Sequence, residues 1–119
     1  MGTREEEREK LAKMVKEMVE ERIAKAEDNK RLFDSGKIRY YDFDSSYRNL
    51  KDVLETFDED AHYFDNKQEI RDIYKKIKNK AEEYAKRISK RKPYGKDVVL
   101  KEQFLELTKK CDEKIRANS

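Results

Sequence analysis

One histidine, His62, and one cysteine, Cys111, are the side chains of this chain most suited to reactive chemistry. Glu59 and His62 form a single Glu-x-x-His step, the unit from which di-iron bundles assemble their ligands. Such a site needs the unit twice, with two further inward glutamates, so one histidine is too few; it is too few for bis-histidine haem as well. His62 also flanks the apolar positions Phe57, Ala61 and Phe64 instead of lying on them, which reads as a surface or half-buried structural residue. Cys111 falls on an apolar stripe, where a thiol behaves as a small hydrophobe, and no glycine-rich turn near either residue offers an oxyanion hole. Asp42, Asp44 and Ser46 have the one-three-five spacing of an EF-hand loop. Tyr47 then stands where glycine is needed and Val53 where a bidentate glutamate belongs, so these residues read as helix caps. Three scattered glycines cannot build phosphate-cradling loops, dinucleotide fingerprints or nucleophile elbows. The expectation is a non-enzyme with no catalytic residue, metal, cofactor or small-molecule substrate.

Two other groups have the character of binding surfaces. Tyr40, Tyr41, Phe43 and Tyr47 sit among Asp42 and Asp44 in the least regular stretch of the chain. They read either as a flap that plugs one end of a bundle or as an exposed, tyrosine-rich recognition patch. Lys86, Arg87, Lys90, Arg91 and Lys92 crowd the end of a basic stripe over 71–96. Between Tyr41 and Asp65 eight acids stand against two bases, whereas between Ile70 and Lys96 eleven bases stand against three acids. If the two stretches pair as a hairpin, this asymmetry is intramolecular complementarity plus dipole compensation. If they do not, the basic stripe with Tyr84 and Tyr94 could hold a phosphate backbone while the aromatics stack on bases. The first reading is favoured, and nucleic acid is not the expected partner.

The elements that must position these groups read as helices. Asn66 with Glu69 forms a capping box, and Ile70, Ile73, Tyr74, Ile77, Ala81, Tyr84, Ala85 and Ile88 follow at helical spacing to a stop at Pro93. Thr3 and Glu6 form a second box ahead of Leu11, Met14, Val15, Met18, Val19, Ile23 and Ala26, with Leu32 and Phe33 closing that pattern. This first helix should be about 45 Å long, so its N-terminal turns either overhang the bundle or dock against another chain. Gly36 suits the left-handed position after it. The Asp44, Ser45, Ser46 cluster caps a second helix striped by Tyr47, Leu50, Leu54, Phe57, Ala61 and Phe64. A phase slip at Asp65 and Asn66 reads as a tight turn before the third, the rival being one continuous helix kinked there. Asp97 caps a last helix carrying Leu100, Phe104, Leu107, Cys111 and Ile115.

Composition agrees. Ala, Glu, Lys, Leu and Arg make up 60 of 119 residues, and 48% charged residues combine with a net charge of only +3. The fold class expected is all-α: one domain over 1–119, a four-helix bundle with helices over about 4–33, 46–64, 66–91 and 97–116 and an irregular connector over 34–46. The order of helix packing stays open, because that connector can span the height of a bundle. No apolar run reaches the length of a membrane span, the charged N-terminus does not resemble a signal peptide, and the lone cysteine suits a reducing, cytoplasmic setting. The first helix is idealised in its capping box, front-loaded glutamates and Lys/Glu-rich face, as in engineered helices; the connector and free cysteine are not. The reading reached is a structural or scaffold bundle, engineered or natural. The alternative is an interaction module that binds a protein through the aromatic connector, self-associates, or binds nucleic acid through the basic stripe.

Overall fold

The computed structural model describes residues 3–36, 43–93 and 95–119, excepting the side chains at 26, 29, 30 and 32–34. Four helices pack against one another: α1 (Arg4–Asp34), α2 (Phe43–Asp60), α3 (Lys67–Ser89) and α4 (Asp97–Ala117), with a short 3-10 turn over Ala61–Tyr63. The chain is a four-helix bundle, as its periodicity predicts, and no strand occurs among the described residues.

The helix ends follow local chemistry, with three departures. Thr3 Oγ1 accepts from the Glu6 amide at 3.2 Å and so caps α1. Gly36, just past the end of α1, takes a φ of 76°, which an L side chain rarely adopts. Asn66 caps α3, its Oδ1 accepting from the Gln68 amide at 2.8 Å. Lys86 and Arg87 lie in the last turn of α3, where positive charge suits the exposed carbonyls. The first departure is that α2 begins at Phe43, so Asp44, Ser45 and Ser46 form its first turn instead of its cap; Asp44 pairs there with Arg48 at 2.8 Å. The second is that α2 ends at Asp60, and the seam residues Ala61 and Phe64 fall in the 3-10 turn and the link behind it. The third concerns α4, whose N-cap position is Lys96, without a side-chain bond; Asp97 lies inside the helix and turns inward.

Cross-helix contacts give the topology. Arg22 of α1 pairs with Asp52 of α2, and Arg8 reaches Asp65 at 3.0 Å, so α1 and α2 run antiparallel. Phe57 packs on Tyr74 and Phe43 on Tyr84, which makes α2 and α3 antiparallel as well. Lys78 to Asp112 and Arg71 to the Asn118 carbonyl set α4 antiparallel to α3. The result is an up-down-up-down bundle, and the first two helices are antiparallel neighbours. The α3–α4 hairpin and α2 form most of the core: Leu50, Val53, Phe57, Ile77, Ala81, Tyr84, Phe104, Leu107 and Cys111 are sealed from water. Each large side chain buried this way contributes about 1.5–3 kcal/mol. α1 lies at the edge, rests mainly on α2, and buries only Val15 and Val19 among its described side chains.

Candidate functional site

Side chains with chemistry gather in two places between the helices. The first is where α3 hands over to α4. Pro93 ends any continuation of α3, and Gly95, at φ 54°, turns the chain back so that α4 starts beside the end of α3. Arg91 and Asp97 are thereby brought face to face. Arg91 Nε donates to Asp97 Oδ2 at 2.9 Å and a terminal nitrogen donates to Oδ1 at 2.7 Å, a two-pronged pair whose carboxylate is 2% exposed. The guanidinium carbon also lies 4.6 Å from the centroid of the Phe43 ring. Phe43 in turn meets Tyr84 and Phe104 edge-on at 6.0 and 6.5 Å, and Tyr47 meets Phe104 at 5.6 Å. The Tyr84 hydroxyl donates to Glu27 at 2.8 Å, and Lys80 bridges Glu27 and Glu83 at 2.9 and 3.2 Å. Burial pulls the Lys80 ammonium towards deprotonation, but the hydrogen-bonded carboxylates outweigh it and raise its pKa, so it stays charged.

The second place is the rim of the core, where the buried Tyr74 donates to the solvent-accessible Asp58 at 2.5 Å and Lys114 approaches Asp58 at 4.0 Å. Burial pushes the Cys111 thiol up to about 12, helped by the carboxylates of Asp58 and Asp112 and opposed only by Lys78. Burial likewise raises the Tyr74 phenol well above its ordinary range, and its hydrogen bond to Asp58 adds to the shift. The Asp112 hydrogen bond at 2.7 Å raises Lys78 against a smaller burial effect. At neutral pH burial therefore holds the thiol and the phenol in their protonated forms. His62 is exposed; its Nδ1 lies 2.8 Å from the Glu59 carbonyl, and its ring rests 4.2 Å from that of Tyr63.

Phe43, Tyr47 and Arg91 are thus brought together, but as a packed cluster. Phe43 is 2% exposed and has no open face for a partner, and Arg91 is spent on Asp97 and Phe43. Lys86, Lys90 and Lys92 are exposed at the end of α3, and Arg87 beside them is half-buried. Lys86, Lys90 and Lys101 rim a shallow groove of about 280 Å³ floored by Ala85 and Leu105. Tyr40, Tyr41, Asp42 and Tyr94 lie outside the described residues, as do the side chains of Ala26, Leu32 and Phe33. Sequence reasoning missed Asp97, Tyr84 and Glu27 as network members. The six-residue spacing of Arg91 and Asp97 across a Pro-x-Gly turn is the signal that could have found the first pair. Among the described residues, no group of three potential metal ligands converges, and no helix is long and apolar enough to cross a membrane. No protein-family model, curated protein or solved structure matches this chain.

Proposed function

We propose that this chain is a non-enzymatic helical scaffold. One observation carries the reading: among the described residues, three polar pairs or clusters between the helices are spent on joining them. Tyr84 with Glu27 and Lys80 ties α3 to α1, Tyr74 with Asp58 ties α3 to α2, and Arg91 with Asp97 ties α3 to α4. A reactive site needs such groups partly free and facing a cleft. A thermal-shift screen against nucleotides, divalent cations and anionic amphiphiles tests this, since a ligand at a hundred times its Kd stabilises by about 2.7 kcal/mol. The scaffold reading expects no shift; a saturable rise of several degrees with one ligand class would replace it with a binding or catalytic role.

The alternative is an interaction module, which draws on the exposed Lys86, Lys90 and Lys92. Retention of single-stranded nucleic acid that falls steeply from about 50 to 300 mM salt would favour it.

A further inference from the structure

α1 carries two apolar stripes, and the bundle covers one of them. Val15 and Val19 face inward, with Ala12 and Ile23 packed beside them. Leu11 and Met14, at 39% and 58% exposed, point elsewhere, and Met18 stands at the border, half-buried and packed in part against the core. The outer stripe has its own register: Glu7, Leu11, Met14, Met18, Glu21 and Lys25 recur in steps of four, three, four, three and four. That is the 3.5-residue repeat by which one helix lies along another.

The ends of this seam say which helix. Glu7 and Lys25 are exposed and make no ion pair among the described residues; the same holds for Lys10 and Glu21. The spacing of the seam is symmetric about its midpoint. Laid antiparallel on a second copy, it sets Met14 against Met18 at the centre, Leu11 against Glu21 on either side, and Glu7 against Lys25 at both ends. It also brings Lys10 beside Glu21 on the same flank. A parallel pairing would instead set Glu7, Glu21 and Lys25 each against itself, like charge on like. A two-fold axis repeats every favourable contact twice.

We propose that the outer stripe of α1 is a self-association surface, forming an antiparallel, two-fold dimer centred between Met14 and Met18. From Glu7 to Lys25 the seam is about 27 Å long and about 10 Å wide. That area falls short of the roughly 1,000 Å² expected of a stable interface, so the dimer is weak and concentration-dependent.

Sedimentation velocity on the full chain, from about 10 µM to 1 mM at low salt, tests it. The mass should rise from 14.4 kDa towards twice that value. Met14→Glu should abolish the rise while circular dichroism stays unchanged, because Met14 is exposed. Glu7→Lys and Lys25→Glu should each weaken the dimer about tenfold, and the double exchange E7K/K25E should restore it to within about threefold. The two positions stand some 27 Å apart on one helix, so rescue requires contact between copies. A chain that stays monomeric at 1 mM overturns the proposal and leaves the stripe to a different partner. A dimer that survives Met14→Glu, or a double exchange that fails to rescue, overturns this surface or this register.

Discussion

Arg91 and Asp97 exchange two charge-assisted hydrogen bonds at a place where the carboxylate has almost no contact with water. The cost of removing one partner therefore exceeds what the pair contributes, because the survivor is left desolvated and unpaired. Asp97→Ala should lower stability by about 3–5 kcal/mol in urea unfolding, whereas replacing both residues by Leu and Met should recover most of that loss. Equal losses in the single and double variants would show that packing, not charge, sets the cost. Cys111 makes a second residue-scale prediction, this time in pH. In the unfolded chain the thiol ionises near its ordinary value of 9.0, whereas in the fold burial holds it up to about 12. Below pH 9 both states keep the proton and the contribution is constant. Between 9 and 12 only the unfolded state gives it up, so the fold loses stability, by about 1.4 kcal/mol at pH 10. Tyr74 acts in the same direction at still higher pH. Urea midpoints at pH 7, 9 and 10 should fall less steeply for Cys111→Ala than for the parent chain, and parallel curves would rule the thiol out as the cause.

At the scale of elements, what could be read from sequence was what is local. The cap at Asn66, the stripe from Ile70 to Ile88 and the stop at Pro93 each depend on neighbours within a few residues, and α3 follows them closely. Asp97 shows where that reasoning ends. An Asp ahead of an apolar run satisfies the capping rule, but the turn through Gly95 delivers Arg91 to it, and a forked ion pair outweighs one capping bond. Phe43 was misplaced for a related reason: the Asp-Ser-Ser cluster after it resembles a cap, while the core offers the ring Tyr84, Phe104 and a guanidinium. The basic run at 86–92 looked uniform in sequence, yet burial divides it, with Arg91 inside the clasp and Lys86, Lys90 and Lys92 in solvent. Which apolar positions of α1 face inward was equally invisible, because its hydrophobic residues spread over two adjoining stripes. Substitutions should separate those stripes: Val19→Ala is expected to cost about 2 kcal/mol in thermal or urea unfolding at low protein concentration, and Met14→Lys less than about 0.5 kcal/mol. Similar costs at both positions would mean that α1 packs on its outer stripe as well.

Across the whole molecule stability is unevenly spread, since α1 is the longest helix and also the least covered. α2, α3 and α4 share the interlocked rings of Phe43, Phe57, Tyr74, Tyr84 and Phe104, whereas Val15 and Val19 are the two described side chains that α1 buries fully. What else holds α1 is the half-buried Ala12, Met18 and Ile23 and a set of partly exposed ion pairs: Arg8 with Asp65, Arg22 with Asp52, Glu20 with Lys76 and Glu27 with Lys80. Exposed pairs of this kind contribute about 0–1 kcal/mol each and are screened by salt. The helix should therefore lift away from the bundle at a lower free energy than global unfolding requires, as a separate opening unit. Native-state hydrogen exchange is the direct measurement. Amides of the first three turns of α1 should exchange at least about a hundredfold faster than those from Ile73 to Ala85, a gap of roughly 2.7 kcal/mol or more. Adding about 0.5 M salt should speed the α1 amides while leaving the α3 amides nearly unchanged, since the contacts being screened belong to α1. Uniform protection along the chain, insensitive to salt, would show instead that the four helices open as one cooperative body and that the two valines suffice to couple α1 to the rest.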